Sequence, residues 1–352
     1  MNLYAKLIDP TDAEQVESQR RLLDSAGIRL DPLIDWSLAL YNGDKMLATA
    51  SCFRYTLRSI AVDNEHQGLG MMARLITAVE KEATRRSLDR LLLISQPDDK
   101  HLFSAVGFTS LAESRRGVAI MENSSQHFPD FLQKLEADLA KITLNKTATP
   151  RRAAIVMNAN PFSLGHRFLV ETALRECDQL LLLVLSDDPQ YGFDFERRLE
   201  MVKRGCADLP RVLVAASGPY AVSTASFPSY FYPPTAVDEN SQLLNDEAEL
   251  DAALFVCIAN YLNISKRFVG SEPGSDITNF YNQVLSRELV YSGLQLQIID
   301  RLTINGKAVS ASSVRNLLNA GDYSAAKKLV PATTWDYLKH LYPIDTESGT
   351  EN

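Results

Sequence analysis

The pattern of apolar and polar positions in the first third of the chain predicts alternating strands and helices. Apolar residues recur at helical spacing over 13–23 and, more strongly, over 71–86, which predicts two helices. Two strand-like runs flank Asn42-Gly43-Asp44, a sequence typical of a β-hairpin turn. The strands predicted in this part are 36–41, 46–53, 57–62, 91–94 and 118–121, with a short helix at 102–106.

A polar linker at 145–150 follows an apolar-periodic helix predicted at 128–143. From Arg152 onward, buried apolar runs alternate with amphipathic segments, as expected for a parallel α/β sheet. The predicted strands are 153–157, 180–185, 212–215, 267–269 and 294–299, and the predicted helices include 196–206 and 252–262. We therefore expect an α/β chain with domains at 1–124 and 151–345, a helical connector at 125–150 and a mobile polar tail at 346–352.

Composition and charge narrow the class of protein. The 352 residues suffice for two domains, and 45% hydrophobic with 23% charged residues is ordinary for a soluble protein. No run reaches the roughly 18 apolar residues of a membrane span, and the N-terminus lacks a signal-peptide pattern. The net charge of −8 argues against non-specific nucleic-acid binding, so any polyphosphate or acidic partner needs a local basic patch.

The four cysteines are far apart and lack zinc-ligand spacing, which predicts buried free thiols in a reducing cytoplasm. They are Cys52, Cys177, Cys206 and Cys257. The histidines outside position 166 are isolated, and no pair has metal-ligand spacing, so we expect no metal held by the protein.

The loop after the strand at 153–157 carries the strongest candidate chemistry. His166 opens an amphipathic segment, where a helix N-terminus offers N–H groups to phosphate. Its ring can donate to a phosphate oxygen as charge develops, or it can merely cap the helix. Ser163 either bonds a phosphate or caps the loop, and the amides of Asn158 and Asn160 either hold the acyl substrate or a phosphate, or are only turn residues. The other candidate nucleotide-contacting residues of this loop are Pro161, Phe162 and Gly165.

A second candidate segment, 309–315, lies before another helical pattern. Ser310, Ser312 and Ser313 at a helix start, with Arg315 one turn on, suit a polyphosphate, although they can also serve only as caps and surface residues.

Two further segments are weaker candidates. Gly270 and Glu272 follow the strand at 267–269, where an open sheet keeps its ligand crevice; Glu272 either orients a substrate or anchors the loop. The helix 196–206 carries Arg197, Arg198 and Lys203 opposite an apolar face, so these charges are expected to face solvent, with substrate contact as the alternative.

These motifs resemble those of a known superfamily. Ser163-Leu164-Gly165-His166 is similar to the (H/T)xGH signature of nucleotidyltransferases, and 309–315 resembles their ISxTxxR-type motif. Further segments in the same order narrow the resemblance to the citrate lyase ligase family. The segments that carry it are 158–167, 225–231, 266–273 with 278–282, and 304–312.

The resemblance implies an acid–thiol ligase built on a Rossmann-like nucleotidyltransferase domain at 151–345. The implied reaction converts ATP, acetate and the thiol form of citrate lyase into AMP, diphosphate and the acetylated lyase, through adenylation of acetate. His166 would stabilise the α-phosphate, Ser163 would keep a hydroxyl where relatives have His or Thr, and Arg315 would bind the leaving pyrophosphate. ATP with Mg²⁺ is then the substrate, no cofactor is tightly bound, and the partner is the acyl carrier subunit with its coenzyme-A-like group.

The first part of the chain resembles the GNAT acyltransferase fold. Gly68 and Gly70 would hold the coenzyme A pyrophosphate at the start of the long helix. However, Glu65 stands where the family has Gln or Arg, and Phe103 replaces a Tyr that protonates the leaving thiolate. We therefore expect a degenerate domain at 1–124 that binds a coenzyme-A-like arm or is purely structural, with acetyl transfer as the alternative.

Two rival functions remain open at this stage. The first is another nucleotidyltransferase, such as a pantetheine-phosphate or nicotinamide mononucleotide adenylyltransferase, which should lack the segments 225–231 and 266–273. The second is a non-catalytic acyl-CoA-binding regulator. The intact His166 and Arg315 count against that regulator.

Overall fold

The computed structural model describes residues 3–143, 149–187, 191–231, 242–271 and 276–342. The chain groups into two compact units, each made of two stretches of sequence. The first unit comprises Met1–Asp130 and Thr224–Leu254, and the second comprises Phe131–Ser223 and Phe255–Asn352. The linker at 145–150, the site residue Glu272 and the tail at 346–352 fall wholly or largely outside the described residues.

The described part of the first unit builds a seven-stranded sheet in the order β1-β2-β3-β4-β5-β7-β6. Its strands are β1 (Leu3–Leu7), β2 (Trp36–Asn42), β3 (Lys45–Phe53), β4 (Thr56–Val62), β5 (Leu92–Ser95), β6 (Thr109–Glu113) and β7 (Ala119–Glu122). All pairs are antiparallel except β4 with β5, which among the described residues pair in parallel only at Thr56 and Leu92. The two strands therefore diverge beyond that point.

Helices cover both faces of this sheet. They are α1 (Ala13–Ser25), α2 (Met71–Arg85) and α3 (Lys100–Ser104). The next helix, α4 (His127–Ala140), follows β7, and the division between the two units falls within it. Because side chains alternate along β2, Leu38 and Leu40 pack with α2, whereas Ala39 and Tyr41 pack with α1. The helices α1 and α2 thus lie on opposite faces, and their predicted positions are confirmed.

The second unit contains a five-stranded, fully parallel sheet in the order β10-β9-β8-β11-β12. Its strands are β8 (Arg152–Met157), β9 (Gln179–Val184), β10 (Val212–Ala216), β11 (Ile264–Gly270) and β12 (Gln295–Ile299), followed by the small hairpin β13 (Thr303–Ile304) and β14 (Lys307–Ala308). This confirms the predicted parallel α/β sheet. The order reverses between β8 and β11, so the crevice of such a sheet opens at their carboxyl ends.

The remaining helices are α5 (Leu164–Leu174), α6 (Phe195–Cys206), α7 (Gln242–Tyr261), α8 (Asp276–Tyr291), α9 (Ala311–Asn319), α10 (Tyr323–Lys327) and α11 (Ala332–Leu338). One face of the parallel sheet, with Ile155, Leu182 and Phe268, packs against buried residues of α5, α6 and α9. Those three helices are therefore fixed beside the sheet edge that carries the candidate loops.

The segment 224–254 differs from the sequence-based expectation of one continuous domain at 151–345, because it groups with the first unit. Its contacts explain the grouping: Thr224 O accepts a hydrogen bond from Arg58, and Glu249 accepts one from the backbone N–H of Arg115. Glu247, which is almost fully buried, accepts the backbone N–H of Ser229 at 2.9 Å. Acidic side chains in the first half of α7 therefore accept hydrogen bonds from the backbone of neighbouring loops.

Candidate active site

The loop 158–163 joins β8 to α5 at the topological switch point of the parallel sheet. Pro161, Phe162 and Ser163 are all buried, and Asn160 is only 3% exposed. The loop is thus a packed part of the fold, and it brings the first turn of α5 to the crevice where such sheets bind ligands.

Ser163 and His166 hold one another at the start of α5. The Ser163 hydroxyl accepts the backbone N–H of His166, while His166 Nδ1 accepts the backbone N–H of Ser163 at 3.0 Å. This reciprocal capping satisfies donors that a helix start leaves unpaired. Ser163 is 1% exposed, so the structure places it as the cap that orients His166.

The same hydrogen bond assigns the His166 tautomer. Because Nδ1 accepts a hydrogen bond, the proton of the neutral ring lies on Nε2, which can donate to a ligand. Burial, with a smaller contribution from the positive charge of Arg301, lowers the pKa of His166 from 6.5 to about 4. His166 is therefore a neutral donor at physiological pH, and Arg301 lies near enough to act on it electrostatically.

Phe162 supports the His166 ring from within the core. The two rings stack with centroids 5.8 Å apart and an interplanar angle of 14°. A Cβ at Gly205 on α6 would lie 2.4 Å from the Phe162 ring, so only glycine leaves room for this packing. Phe162 is fully buried. The structure thus gives Phe162 a positioning role beneath His166.

Asn160 clamps the loop before α6. Its amide donates to Tyr191 O and accepts the backbone N–H of Phe193, both at 2.9 Å. A Cβ at Gly192 would collide with this amide. The Asn160 side chain therefore holds this distant loop, whereas buried Asn158 Oδ1 has no donor among the residues that the structure describes.

Arg198 corrects the expectation that the charges of α6 face solvent. It is fully buried and donates to the carbonyls of Asn158, Leu185, Asp187 and Phe193 at 2.8–3.1 Å. These carbonyls follow β8 and β9 or precede α6, so one guanidinium ties together the loops at the carboxyl edge. The helical periodicity could not predict this burial, because the N–H donors of Arg198 are satisfied by backbone carbonyls outside α6.

The second motif caps α9 and packs against the first. Ser310 accepts the backbone N–H of Ser313 at 3.0 Å, and its hydroxyl lies 3.1 Å and 2.7 Å from those of Ser312 and Ser313. A Cβ at Gly165 would lie 2.8 Å from Val309 O. Glycine in the Gly-His pair therefore allows the two motifs to approach closely.

Arg315 links α9 to the first loop. It donates to Asn160 O, and its guanidinium lies 5.1 Å from the centroid of the Tyr191 ring. The structure thus brings His166, the Ser310 cap and Arg315 together at one edge of the sheet, as the sequence motifs predicted. The exact ligand contacts of these residues stay a prediction.

Arg301, which contacts the residue after β11, is a cation near the site that the sequence analysis missed. Gly270 is followed by Ser271, whose carbonyl accepts a hydrogen bond from Arg301 Nε at 2.7 Å. A Cβ at Gly270 would meet no atom of the described residues within 4 Å. Arg301 belongs to no recognised motif, and only its place just after β12 could have singled it out. The predicted role of Glu272 stays untested.

The predicted coenzyme A turn in the first unit has a different character. Gly68 and Gly70 adopt φ of +74° and +72°, with open space where a Cβ would lie. Just before them, the carboxylates of Asp63 and Glu65 pair with Lys45 at 2.9 Å and 3.6 Å. Phe103 is 7% exposed and packs edge-on against Phe108, which makes it a core residue.

Among the described residues, the only cluster of three potential metal ligands is Asp63, Glu65 and His66, which lies outside the parallel-sheet site. Within the same described residues, no helix has the length and apolar character to cross a membrane.

Comparison with known proteins agrees with the motifs. Residues 152–338 match the family model of the citrate lyase ligase C-terminal domain, and residues 6–108 match the GNAT acetyltransferase family. The chain is 30% identical over 338 residues to a citrate (pro-3S)-lyase ligase of Haemophilus influenzae, covering 94% of this chain and 96% of that protein. It is 30% identical to the enzyme of the same name in Escherichia coli K12, covering 91% and 89%.

Among solved structures, the chain is similar to Thermotoga maritima TmcAL bound with α-thio ATP, at 15% identity and a TM-score of 0.37, covering 54% of this chain and 55% of that one. The family matches lie over the two regions where the sequence predicted a GNAT-like and a nucleotidyltransferase domain. The chain belongs to the citrate lyase ligase family.

Proposed function

We propose that this chain acetylates the thiol form of citrate lyase at the expense of ATP, and that the site on the parallel sheet adenylates acetate. Family membership supports the overall reaction. The observation that carries the adenylation step is the neutral His166 at the start of α5, whose Nε2 carries the proton and whose ring lies within the electrostatic reach of Arg301.

The polyphosphate of ATP binds across the starts of α5 and α9. Helix N-termini favour anions, because the positive end of the helix dipole and the N–H groups that the caps leave unpaired lie there. Arg315 supplies a permanent charge with several donors, and Arg301 supplies a second one near His166. Mg²⁺ arrives as part of the ATP substrate.

The first half-reaction is a displacement at the α-phosphorus. An acetate carboxylate oxygen attacks it and forms a new P–O bond, while the bond to the bridging oxygen of pyrophosphate breaks. Pyrophosphate leaves with that electron pair. His166 Nε2–H donates to an α-phosphate oxygen as negative charge grows there, and the arginines bind the departing group.

The second half-reaction transfers the acetyl group to the thiol of the carrier's prosthetic group. The thiolate sulfur attacks the carbonyl of acetyl adenylate, and AMP leaves with the electron pair of the C–O bond. An acetyl-enzyme intermediate is not needed. Burial raises the pKa of Cys52 and Cys206 to about 12 and that of Cys177 to about 11, so these thiols are poor nucleophiles.

The same reduced thiols fit a reaction in the cytoplasm, and we place it there. We assign the GNAT-like unit to carrier binding or structure, because carboxylates flank its glycine turn and Phe103 is part of the core. Acetyl transfer from acetyl-CoA is not part of this proposal.

The deciding experiment is exchange of labelled pyrophosphate into ATP without carrier protein. We expect exchange with acetate, because adenylation is reversible and needs no thiol. Exchange that requires phosphopantetheine in place of acetate would instead assign the site to a dinucleotide-forming adenylyltransferase. No exchange with either compound would rule out free acetyl adenylate as the product of this site.

A further inference from the structure

A groove of about 600 Å³ lies between α2 and the edge strand β1 in the first unit. Its floor is apolar and includes Leu7, Leu38 and Leu40. Strand β1 ends the sheet order, and β2 is its only partner among the described strands. An exposed sheet edge beside an apolar floor is a surface on which another chain can pack.

The rim of this groove is strongly basic, although the whole chain has a net charge of −8. Among the described lining residues, Lys6, Arg74, Lys81 and Arg85 face a single carboxylate, Glu82. Glu82 is buried and pairs with Arg85 at 2.8 Å. Arg74 and Lys81 are exposed, and neither forms an ion pair within the described part of the chain. Their charge is therefore available to a partner.

The spread of these cations favours a macromolecular partner over a small anion. Arg74, Lys81 and Arg85 are spaced along one side of α2, and from first to last they span about 16 Å at 1.5 Å per residue. One phosphate group cannot contact all of them, whereas a protein surface can. The apolar floor further suits a protein that presents both carboxylates and an apolar side chain.

We propose that this groove docks an acidic face of the thiol-bearing carrier protein. This inference rests on the proposed function, since it assumes that a carrier protein is the acetyl acceptor. The basic rim steers and orients the carrier, and the groove contributes nothing to the adenylation of acetate. Its failure can therefore be separated from failure of the proposed function.

The test is the double variant Arg74→Glu/Lys81→Glu in the full chain. We expect the KM for carrier to rise about tenfold, because rim charges act on association. Carrier-independent, acetate-dependent pyrophosphate exchange should stay at the wild-type rate. The matched control is Arg21→Glu, which reverses another exposed charge, on α1, the helix on the opposite face of the same sheet. It should leave the KM for carrier within about twofold of wild type.

Binding of apo-carrier, which lacks the prosthetic arm, measures docking without catalysis. The Kd for apo-carrier should rise about tenfold in the double variant. Wild-type affinity should decrease when the salt concentration is raised from about 50 to 200 mM, because salt screens surface charges. A double variant with wild-type KM and wild-type apo-carrier affinity overturns the proposal. The proposal is also overturned if the wild-type chain is a dimer, the double variant is a monomer, and carrier affinity is the same for both. The groove is then a contact between copies of this chain.

Discussion

Two helix starts in this chain follow a strand and have glycine just before or within the first turn of the helix, and they differ in the charges around them. At α5, the positive charge of Arg301 acts on a neutral His166, and Arg315 donates to Asn160 O in the loop before the helix. At α2, the residues just before the turn are the acids Asp63 and Glu65. Both helix starts can offer backbone N–H groups to a phosphate, but the second has a pair of carboxylates directly before its glycines.

The glycines at the two starts also serve different purposes. Gly70 adopts a left-handed φ of +72° beside open space, so it is required by its backbone conformation. Gly165 has no such conformation and is instead required by a close contact, since a Cβ there would meet Val309 O at 2.8 Å. The same residue type thus marks a free turn in one unit and a junction between two motifs in the other.

The largest expected effect comes from His166→Ala. We expect kcat for acetate-dependent exchange to fall about 10²–10³-fold, with ATP affinity nearly unchanged, because the Nε2–H donation matters most in the transition state. Exchange kinetics and equilibrium ATP binding measure the two quantities. His101→Ala, an exposed position on α3, is the control. A near-normal kcat with a lowered Tm would leave His166 only its capping role.

Arg315→Lys keeps the charge but removes the planar guanidinium. We expect kcat/KM for ATP to fall roughly 10–100-fold, equivalent to about 1.5–3 kcal/mol for a charge-assisted hydrogen bond. The contacts with Asn160 O and the Tyr191 ring are lost as well. Arg197→Lys on the exposed side of α6 is the matched control. Kinetics within twofold of wild type would place Arg315 outside the phosphate site.

Gly165→Ala tests the junction between the two motifs. We expect a loss of about 1–3 kcal/mol in the free energy of unfolding, because the new methyl overlaps Val309 O. Urea denaturation measures this loss. Gly270→Ala introduces the same methyl at the same sheet edge, where none of the described residues has an atom within 4 Å, and should be nearly neutral for stability. Equal stabilities for the two variants would contradict the close approach of the motifs.

Glu65→Gln tests the role of charge at the other helix start. Coenzyme A should bind the wild-type chain weakly, and the variant should bind it about two- to fivefold more tightly, the range for one exposed charge. Titration calorimetry of the full chain is suitable, since a fragment ending near Thr149 lacks the segment 224–254. Tight wild-type binding would show that the acids at this turn do not oppose pyrophosphate.

The pH dependence of His166 should produce the smallest effect. With its pKa at about 4, the ring stays neutral between about pH 5.5 and 8, so kcat should show no inflection near 6.5 from this group. A lowered histidine pKa favours the neutral form in the folded state. The associated stability is complete above pH 6.5 and is lost as pH falls from 6.5 towards 4. An NMR titration of the ring with a midpoint near 6.5 would contradict this environment.

Elements with strong periodicity or continuous apolar runs, such as α2 and β9, were predicted correctly from the sequence. The strand β1 was missed because its five residues are mostly exposed and lack alternation. The helix α7 begins ten residues earlier than the predicted residue 252, because its acidic first half resembles a solvated segment. Asp246, Glu247, Glu249 and Asp251 are all buried there, which periodicity cannot reveal.

The candidate site shows the same limit. Motifs identified His166 and Arg315, since their spacing from glycine and serine is local. Arg198 and Arg301 act through carbonyls that are distant in sequence, at Leu185 and Ser271 for example. The use of the Asn160 amide also depends on a loop 31 residues away. Local sequence can indicate such residues as candidates. Whether their partner is solvent, substrate or backbone depends on the fold.

The division of the first unit into two stretches has a consequence for synthesis on the ribosome. Its second stretch, Thr224–Leu254, emerges only after β8, β9 and β10 of the other unit have been made. Domains often complete folding in the order of synthesis. Here, however, Arg58 and Arg115 each bond a residue, Thr224 and Glu249 respectively, that is synthesised more than a hundred residues later. The part of the protein that is translated first should therefore be among the last to reach its final packing.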